Sequence, residues 1–566
     1  MANESSSDPR LHKPLFDERL VRIICIGAGV SGLILAYKLR RSFTNVELVV
    51  YEKNEAVGGT WFENTYPGCA CDIPAHIYTY SFEPKPDWSS IYASSQEIQQ
   101  YFQGFSEKYQ LQQYIKLKHQ VSNATWDEVN GEWKVAIVHL DDGQIIQDRC
   151  HILVNATGVL NAWKWPDIPT LHSFKGPILH TAKWDNNLDL EGKHVGIIGN
   201  GSSALQLLPA IYPSVRKVTN FVRSPTWIYP SFSEPQRQYT EEEKLKFKQD
   251  PDSHLAFRKA QASGVFHLWP VYLKDSEAHK NTVFTLTQLL KEKLPSYLVE
   301  SAIPDVGVGC RRVTPGADYL EKLGGEKTHV VLGEIERITE KGVVDGQGVE
   351  HELDILVCAT GFDTSFVPRF PIIGPNGVDM RHAWRDEVKG YLGVGASGFQ
   401  NYFTMAGAGS PLATGPMVMY ELHADYILKM VDRYQTENIH SMTPTAAAVD
   451  DYIRHRDEFM KRTTWNEDCR SWYKAGTPRK VTDLWPGSGM HWYTVFKQEP
   501  RYEDWEWKYK GNRFSYFGNG YAYLELQDPT QVDWASFIRN EDDGPHLSKR
   551  AQIAEQASKK AVSKVA

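Results

Sequence analysis

The 566-residue chain has no uninterrupted apolar run of the about 18 residues that a membrane-crossing helix needs, so no transmembrane segment is expected. It also lacks a CxxC pair, which leaves neither a zinc ribbon nor a thioredoxin-type redox site to consider. Its seven cysteines are odd in number and scattered, so no disulfide framework is expected; the one close pair, Cys69 and Cys71, has the wrong spacing for either motif. Such usage suits a reducing, intracellular compartment, with the cytoplasm as the expected location. Excess positive charge is missing too. Lys+Arg is 62 against 70 Asp+Glu, a net charge of −8, which is the wrong sign for a general nucleic-acid binder. The stretch from Met1 to Pro14 is polar, with no apolar core of a signal peptide. No metal-ligand cluster and no serine-nucleophile constellation stands out, so no metal is expected.

What is present reads as a folded protein. Hydrophobic residues make up 41% and charged residues 23%, which excludes bulk disorder. At roughly 100–200 residues per domain, the length suggests three or four domain-sized units. The 17 Trp and 28 Tyr supply unusual aromatic surface, suited to core packing or to large planar ligands.

Two strand–turn–helix–strand units organise the chain. Val21 to Ile26 is a short apolar run that ends at Gly27-Ala28-Gly29-Val30-Ser31-Gly32, Leu33 to Arg41 has helical periodicity, and Val46 to Tyr51 is a second strand that ends at Glu52. The pattern recurs with the strand His194 to Ile198, the turn Gly199-Asn200-Gly201-Ser202-Ser203-Ala204, a helix opening at Leu205, and the strand Val218 to Val222 ending at Arg223-Ser224. Two further apolar strands, Ile152 to Asn155 and Ile355 to Cys358, each run into Ala-Thr-Gly, at 156–158 and 359–361. The chain is therefore expected to leave one nucleotide-binding domain near 158, build a second, and return near 360. The expected segments are an N-terminal arm (1–20), a first FAD-binding part (21–160), an NADP-binding domain (161–355) with a helical insertion over about 235–300, and a second FAD-binding part with a C-terminal extension (356–566). Residues 370–566 read as short strands, turns and tryptophans, and the Ala/Lys-rich tail from Lys549 reads as a peripheral helix or frayed end. The fold class is α/β, with two Rossmann-like three-layer domains, the first discontinuous.

The glycine turns carry the chemistry. In the first, Gly27, Gly29 and Gly32 lie between strand and helix, and Glu52 comes at the distance of a ribose-binding acid. Glycine lets the backbone approach a pyrophosphate, and the helix N-terminus stabilises its charge. In the second turn (Gly199, Gly201, Ser202, Ser203) that acid is replaced by Arg223. A carboxylate repels a 2′-phosphate, whereas a guanidinium binds it bidentately. The reading is FAD at the first site and NADPH at the second, although Arg223 alone could be a surface arginine. Gly59-Thr60-Trp61 offers room for a flavin, with Trp61 equally readable as core. Asp72 alone reads as a turn carboxylate, and a lone histidine such as His180 is usually structural.

The run Phe174-Lys175-Gly176 to His180, then Trp184-Asp185, resembles the FxGxxxHxxxW fingerprint of the type I Baeyer–Villiger monooxygenases. The resemblance extends from about 20 to 540, and the Cys69-to-Pro74 and Arg470-to-Tyr473 segments are similar to fungal secondary-metabolite members. It implies an FAD- and NADPH-dependent enzyme that uses O2 to turn a ketone, bulky or cyclic, into an ester or lactone. It also implies roles for single residues. Arg312 falls on the active-site arginine and Asp72 on the acid that orients it. Arg311 falls on the basic residue that reaches the 2′-phosphate, Tyr78 and Val121 on positions lining FAD, and His180 on the joint between the nucleotide domains. Trp472 falls on a mobile-loop tryptophan over the nicotinamide half. Val313 departs from the usual proline, and Tyr473-Lys474-Ala475-Gly476 departs from the bacterial loop. The chemistry agrees: negative charge that develops on oxygen when a ketone is attacked needs a fixed cation that cannot give up its proton. Two rivals remain, an N- or S-oxidising flavin monooxygenase, which has no need of Arg312, and a non-catalytic FAD/NADPH redox sensor, which has no need of Arg312, Asp72 or Trp184.

Overall fold

The structure, a computed structural model, describes residues 9–232, 234–411, 416–474, 480–542, 544 and 548–552. Most of the Ala/Lys-rich tail, the Ala475-Gly476 pair and the first eight residues of the expected arm lie outside them. The chain forms two compact units, residues 18–513 and residues 1–17 with 514–566. The described part of the smaller unit holds short turns at Pro9–His12, Ser515–Phe517 and Tyr523–Leu526, and the Leu15 N–H donates to the Tyr521 carbonyl at 2.8 Å.

The larger unit is built on two sheets. In the first, the strands Tyr402–Thr404, Ile152–Asn155, Val21–Ile26, Val46–Tyr51 and Ile115–Lys116 lie side by side in that order, all parallel. Gly395–Ala396 and Gly390–Tyr391 extend it antiparallel. In the second, the order is Thr328–Leu332, Lys217–Val222, His194–Ile198, Ile355–Cys358 and Ile178–His180, all parallel. Parallel strands covered on both faces need continuous apolar runs, and Ile23, Ile24 and Cys25 in the first sheet and Leu356, Val357 and Cys358 in the second are fully buried. The first sheet is thus completed by strands that come after the whole of the second. The Ile355–Cys358 strand belongs to the second sheet, three residues beyond the boundary expected at 355; its pairing partner, not its apolar sequence, decides which sheet it joins.

Both glycine turns reach the same local solution. Gly27 and Gly199 have φ of +104° and +117°, and a Cβ at either would meet a carbonyl oxygen, of Ala156 at 2.8 Å and of Ala359 at 2.6 Å. These are the alanines of the two Ala-Thr-Gly tripeptides, so each tripeptide presses against the first glycine of its own turn. The helices after the turns, Val30–Ser42 and Ser202–Ile211, bury Leu33 to Ala36 and Ala204, Leu205, Leu207 and Leu208 on their sheets.

The insertion is helical as expected, with Glu241–Gln249, Pro251–Phe266, Glu277–Lys293 and Ser296–Ala302. It is clasped to the segment after Asp72. Arg258 donates to the His76 and Tyr80 carbonyls and the Thr79 hydroxyl at 3.0–3.2 Å. Beyond 370, helices Pro416–Thr436 and Ala446–Met460 stand where only short strands and turns were expected. Among the described residues no helix is long and apolar enough to cross a membrane.

The close approach of Ala359 to Gly199 predicts a contrast between two glycines of one turn. Gly199→Ala should destabilise the protein by on the order of 1–3 kcal/mol, through left-handed strain and the carbonyl contact. Gly201→Ala, with nothing within 4 Å and no positive φ, should stay within about 0.5 kcal/mol. Unfolding temperatures of the two variants check this, and equal temperatures contradict it.

Candidate active site

A cavity of about 440 Å³ opens at the carboxyl ends of the first sheet's strands, where open α/β sheets bind their ligands. Of the residues expected to hold FAD, Gly27, Gly29, Glu52, Gly59, Thr60, Trp61, Tyr78 and Val121 line it. The walls fit a dinucleotide. Gly29 and Gly59 face each other so closely that a Cβ on Gly59 would lie 3.0 Å from the Gly29 Cα, leaving two bare backbones for a pyrophosphate. Glu52 accepts from the Ala28 and Asn54 N–H groups at 2.7 and 2.8 Å. Burial raises its pKa, against the pull of those donors. The Trp61 indole donates to the Tyr78 hydroxyl at 3.2 Å, with the rings edge to face. Gly32 does not line the cavity; it sits inside the helix, where a Cβ would strike the Gly27 carbonyl oxygen at 2.0 Å, so it serves the packing of helix on turn.

The sequence reading missed the cavity's far wall, formed by Phe366 to Phe370, Thr404 to Gly407 and Tyr420. Ala406 there has φ +61°, and its N–H donates to the buried His423 ring at 3.0 Å. An alanine in the left-handed region has no signature in sequence. Thr157 and Gly158 of the first Ala-Thr-Gly also line the cavity, although that tripeptide suggested only a linker.

The second cluster gathers at the other glycine turn. Ser202 shares a hydrogen bond with Thr314 at 2.7 Å, and Ser203 bonds the Tyr66 phenol. Arg223 ends its strand half-exposed, with Glu334 at 3.9 Å. Arg311 donates to the Ser224 hydroxyl at 2.6 Å and the Pro225 carbonyl at 3.2 Å, while its buried Nε has no partner among the described residues. Burial and the charge of Arg223 both lower the Arg311 pKa. Two cations beside a serine, one with an unmet donor, are the donor set an anionic phosphate requires. His180, 1% exposed, lies at the end of its strand beside Cys358, stacked on Trp163 at 4.8 Å and within 3.3 Å of the Thr360 hydroxyl. Burial lowers its pKa to about 4, so it is neutral at ordinary pH.

Between the two clusters stands Arg312. Its Nε and Nη2 donate to one oxygen of Asp72, at 3.0 and 2.7 Å. Burial alone would lower the arginine's pKa, but the Asp72 carboxylate more than offsets it, so the guanidinium keeps its charge. The pair is partly covered rather than sealed, with side chains 29% and 19% exposed. Asp72 is held from below, because Tyr66 donates to Gln206 at 2.7 Å and Gln206 donates to the Ala70 carbonyl at 3.0 Å. Thus the segment before Asp72 rests on a helix of the second sheet. Among the described residues the 440 Å³ cavity is lined by Tyr78 but not by Asp72, Arg312, Arg311, Arg223 or Trp472. The Trp472 ring lies 4.4 Å from that of Tyr473, tilted by 43°, and its carbonyl accepts from Thr364 at 3.2 Å. Tyr473, buried and hydrogen-bonded to Arg312, and the half-buried Tyr272 near it were also missed.

The family described as flavin-binding monooxygenase-like matches residues 20–240. The chain is 39% identical over 531 residues to the FAD-binding monooxygenase tazF of Aspergillus terreus, covering 91% of this chain and 94% of that one. It is 31% identical over 492 residues to a Baeyer–Villiger monooxygenase of Pseudomonas aeruginosa, covering 85% and 90%. Its fold resembles that of cyclohexanone monooxygenase from Rhodococcus sp. Phi1 bound to NADP+, with a TM-score of 0.74, 26% identity and coverage of 87% and 100%.

The Arg223–Arg311 pair predicts the coenzyme preference. Replacing either arginine by alanine should weaken NADPH by roughly tenfold or more, the loss of one charge-assisted contact of about 1.5–3 kcal/mol, and leave NADH nearly unchanged. Dissociation constants of the two coenzymes check this; an unaltered NADPH/NADH ratio in Arg223→Ala contradicts it.

Proposed function

The chain belongs to the FAD-binding monooxygenases and is an FAD- and NADPH-dependent Baeyer–Villiger monooxygenase, and we propose that it oxidises bulky or cyclic ketones with Arg312 and Asp72 at the reacting centre. The observation that carries the proposal is the ion pair itself, a permanent cation fixed by a carboxylate where the two nucleotide-binding halves meet.

FAD, when bound, would supply the redox chemistry that links NADPH to O2, and the chain's own residues would do the rest. Gly29 and Gly59 would offer bare backbone to its pyrophosphate, and Glu52 would accept from its ribose. Arg223, Ser224 and Arg311 hold the 2′-phosphate of NADPH, and His180 keeps the strand end beside the coenzyme in place. Arg312 puts positive charge where oxygen becomes anionic as the ketone is attacked, and being an arginine it does not surrender a proton to that oxygen. Asp72 fixes the plane of the guanidinium. Tyr473 lies against the guanidinium, and with Trp472 it would limit the access of water to this side.

Cyclic substrates suit the Rhodococcus neighbour's name. The Trp465 ring lies 5.1 Å from that of Tyr272 and 6.3 Å from that of Tyr473, so an aromatic core cluster backs the Arg312 side. An N- or S-oxidising reaction is not favoured, since it has no use for a charged Arg312.

Arg312→Ala should still let NADPH reduce the flavin but should lower ester formation by about a hundredfold to a thousandfold, with the consumed NADPH appearing as H2O2. Arg312→Lys should recover only part of the loss, because a point charge does not reproduce the planar fork. The check is NADPH consumed against ester formed over a panel of cyclic and polycyclic ketones. Ester at the wild-type rate from Arg312→Ala contradicts the assignment.

A further inference from the structure

Cys310 and Cys469 are joined by a disulfide, with Cα atoms 6.3 Å apart and a sequence separation of 159. One end immediately precedes Arg311 and Arg312. The other lies three residues before Trp472 and four before Tyr473. The bond therefore ties the turn that carries both site arginines to the segment whose Tyr473 bonds Arg312. Both cysteines are buried, at 0% and 5% exposure.

The remaining ties between these two segments are weaker. Thr464 donates its hydroxyl to the Val308 carbonyl at 2.8 Å, and the Gly307 N–H donates to the Glu467 carboxylate. Within the covering segment, the Lys474 ammonium donates to the Glu467 carbonyl and the Thr482 N–H to the Tyr473 carbonyl. Tyr473 is 3% exposed and bonds the Arg312 guanidinium. Only the disulfide is covalent, and it alone depends on redox state. The five other cysteines are buried thiols outside any disulfide, and burial raises the pKa of Cys69 to about 11 and of Cys358 to about 12.

We propose that Cys310–Cys469 is a redox-set clasp that holds the Trp472–Tyr473 segment on Arg312 and so keeps electrons from leaking to H2O2. The proposal rests on the function given above. The oxidant is the leak product itself. One thiolate attacks an oxygen of H2O2, breaking the O–O bond to give a sulfenic acid and water. The second thiol then displaces the sulfenic oxygen as water, forming the S–S bond. Two thiols and one H2O2 give one disulfide and two waters, with two electrons passing from sulfur to oxygen. An enzyme that leaks thereby closes the bond that limits the leak.

The test compares the FAD-loaded protein purified in air and turned over with NADPH, the same protein kept under dithiothreitol, and the variants Cys310→Ser and Cys469→Ser. Alkylation after denaturation should count five thiols in the first sample and seven in the second. Ketone-free oxidation of NADPH to H2O2 should be roughly tenfold faster in the reduced protein and in both variants, as expected when a positioned group is released. Anaerobic flavin reduction should change by less than about twofold, because hydride transfer does not use the clasp. Seven thiols in the aerobic, turned-over protein overturn the proposal, as does a leak indifferent to reduction. If a serine variant does not fold, the reduced wild type decides alone. The leak and the thiol count need no ketone, so a protein that makes no ester overturns the functional reading without touching this result.

Discussion

A guanidinium drawn out of bulk water loses several kcal/mol of hydration unless a carboxylate and further acceptors meet it. In this protein that demand is met across a junction. Arg312 comes from the half built on the second sheet and Asp72 from the half built on the first, and two hydrogen bonds of 3.0 and 2.7 Å join them. The pair can form only if both halves are complete and correctly set against each other. Much of the surrounding structure serves that end. Tyr66 and Gln206 rest the Asp72 segment on the helix Ser202–Ile211, Arg258 holds the insertion to residues 76–81, and the Cys310–Cys469 bond fixes the arginine's own turn.

The two nucleotide sites share a backbone solution but differ in charge. Each first glycine takes a positive φ and accepts an alanine carbonyl at its bare Cα face. The side chain at the end of the second strand decides the ligand. Glu52, bound by two backbone N–H groups, can take up a ribose hydroxyl. Arg223 and Arg311, which repel each other when no anion lies between them, favour a phosphate. On the proposed reading, one fold sorts two similar dinucleotides by side-chain charge at equivalent strand ends.

The sequence made some of this legible because the signals are local. The strands before Gly27 and Gly199, the acid at 52 and the arginine at 223 sit at fixed offsets along the chain, and those offsets survive folding. The pairing of Arg312 with Asp72 came from resemblance alone, since 240 residues separate them. Three features stayed hidden for physical reasons. The Ile355–Cys358 strand is apolar enough for either sheet, and only its partners assign it. The Ala406 conformation is imposed by His423 and the surrounding wall. The Cys310–Cys469 bond spans too much chain for spacing to suggest it, so an odd count of scattered cysteines pointed away from any bond. The long helix Pro416–Thr436 was concealed by the Gly- and Pro-rich sequence that precedes it.

If Asp72 acts by holding Arg312, the two side chains form one functional unit, and a double-mutant cycle on kcat/KM for ketone oxidation measures this directly. Asp72→Ala, Arg312→Ala and the double variant should show strong non-additivity, with the double variant falling no further than Arg312→Ala alone. Losses that add to within about 0.5 kcal/mol would mean that the two residues act independently, and the ion pair would then not be the centre of the site.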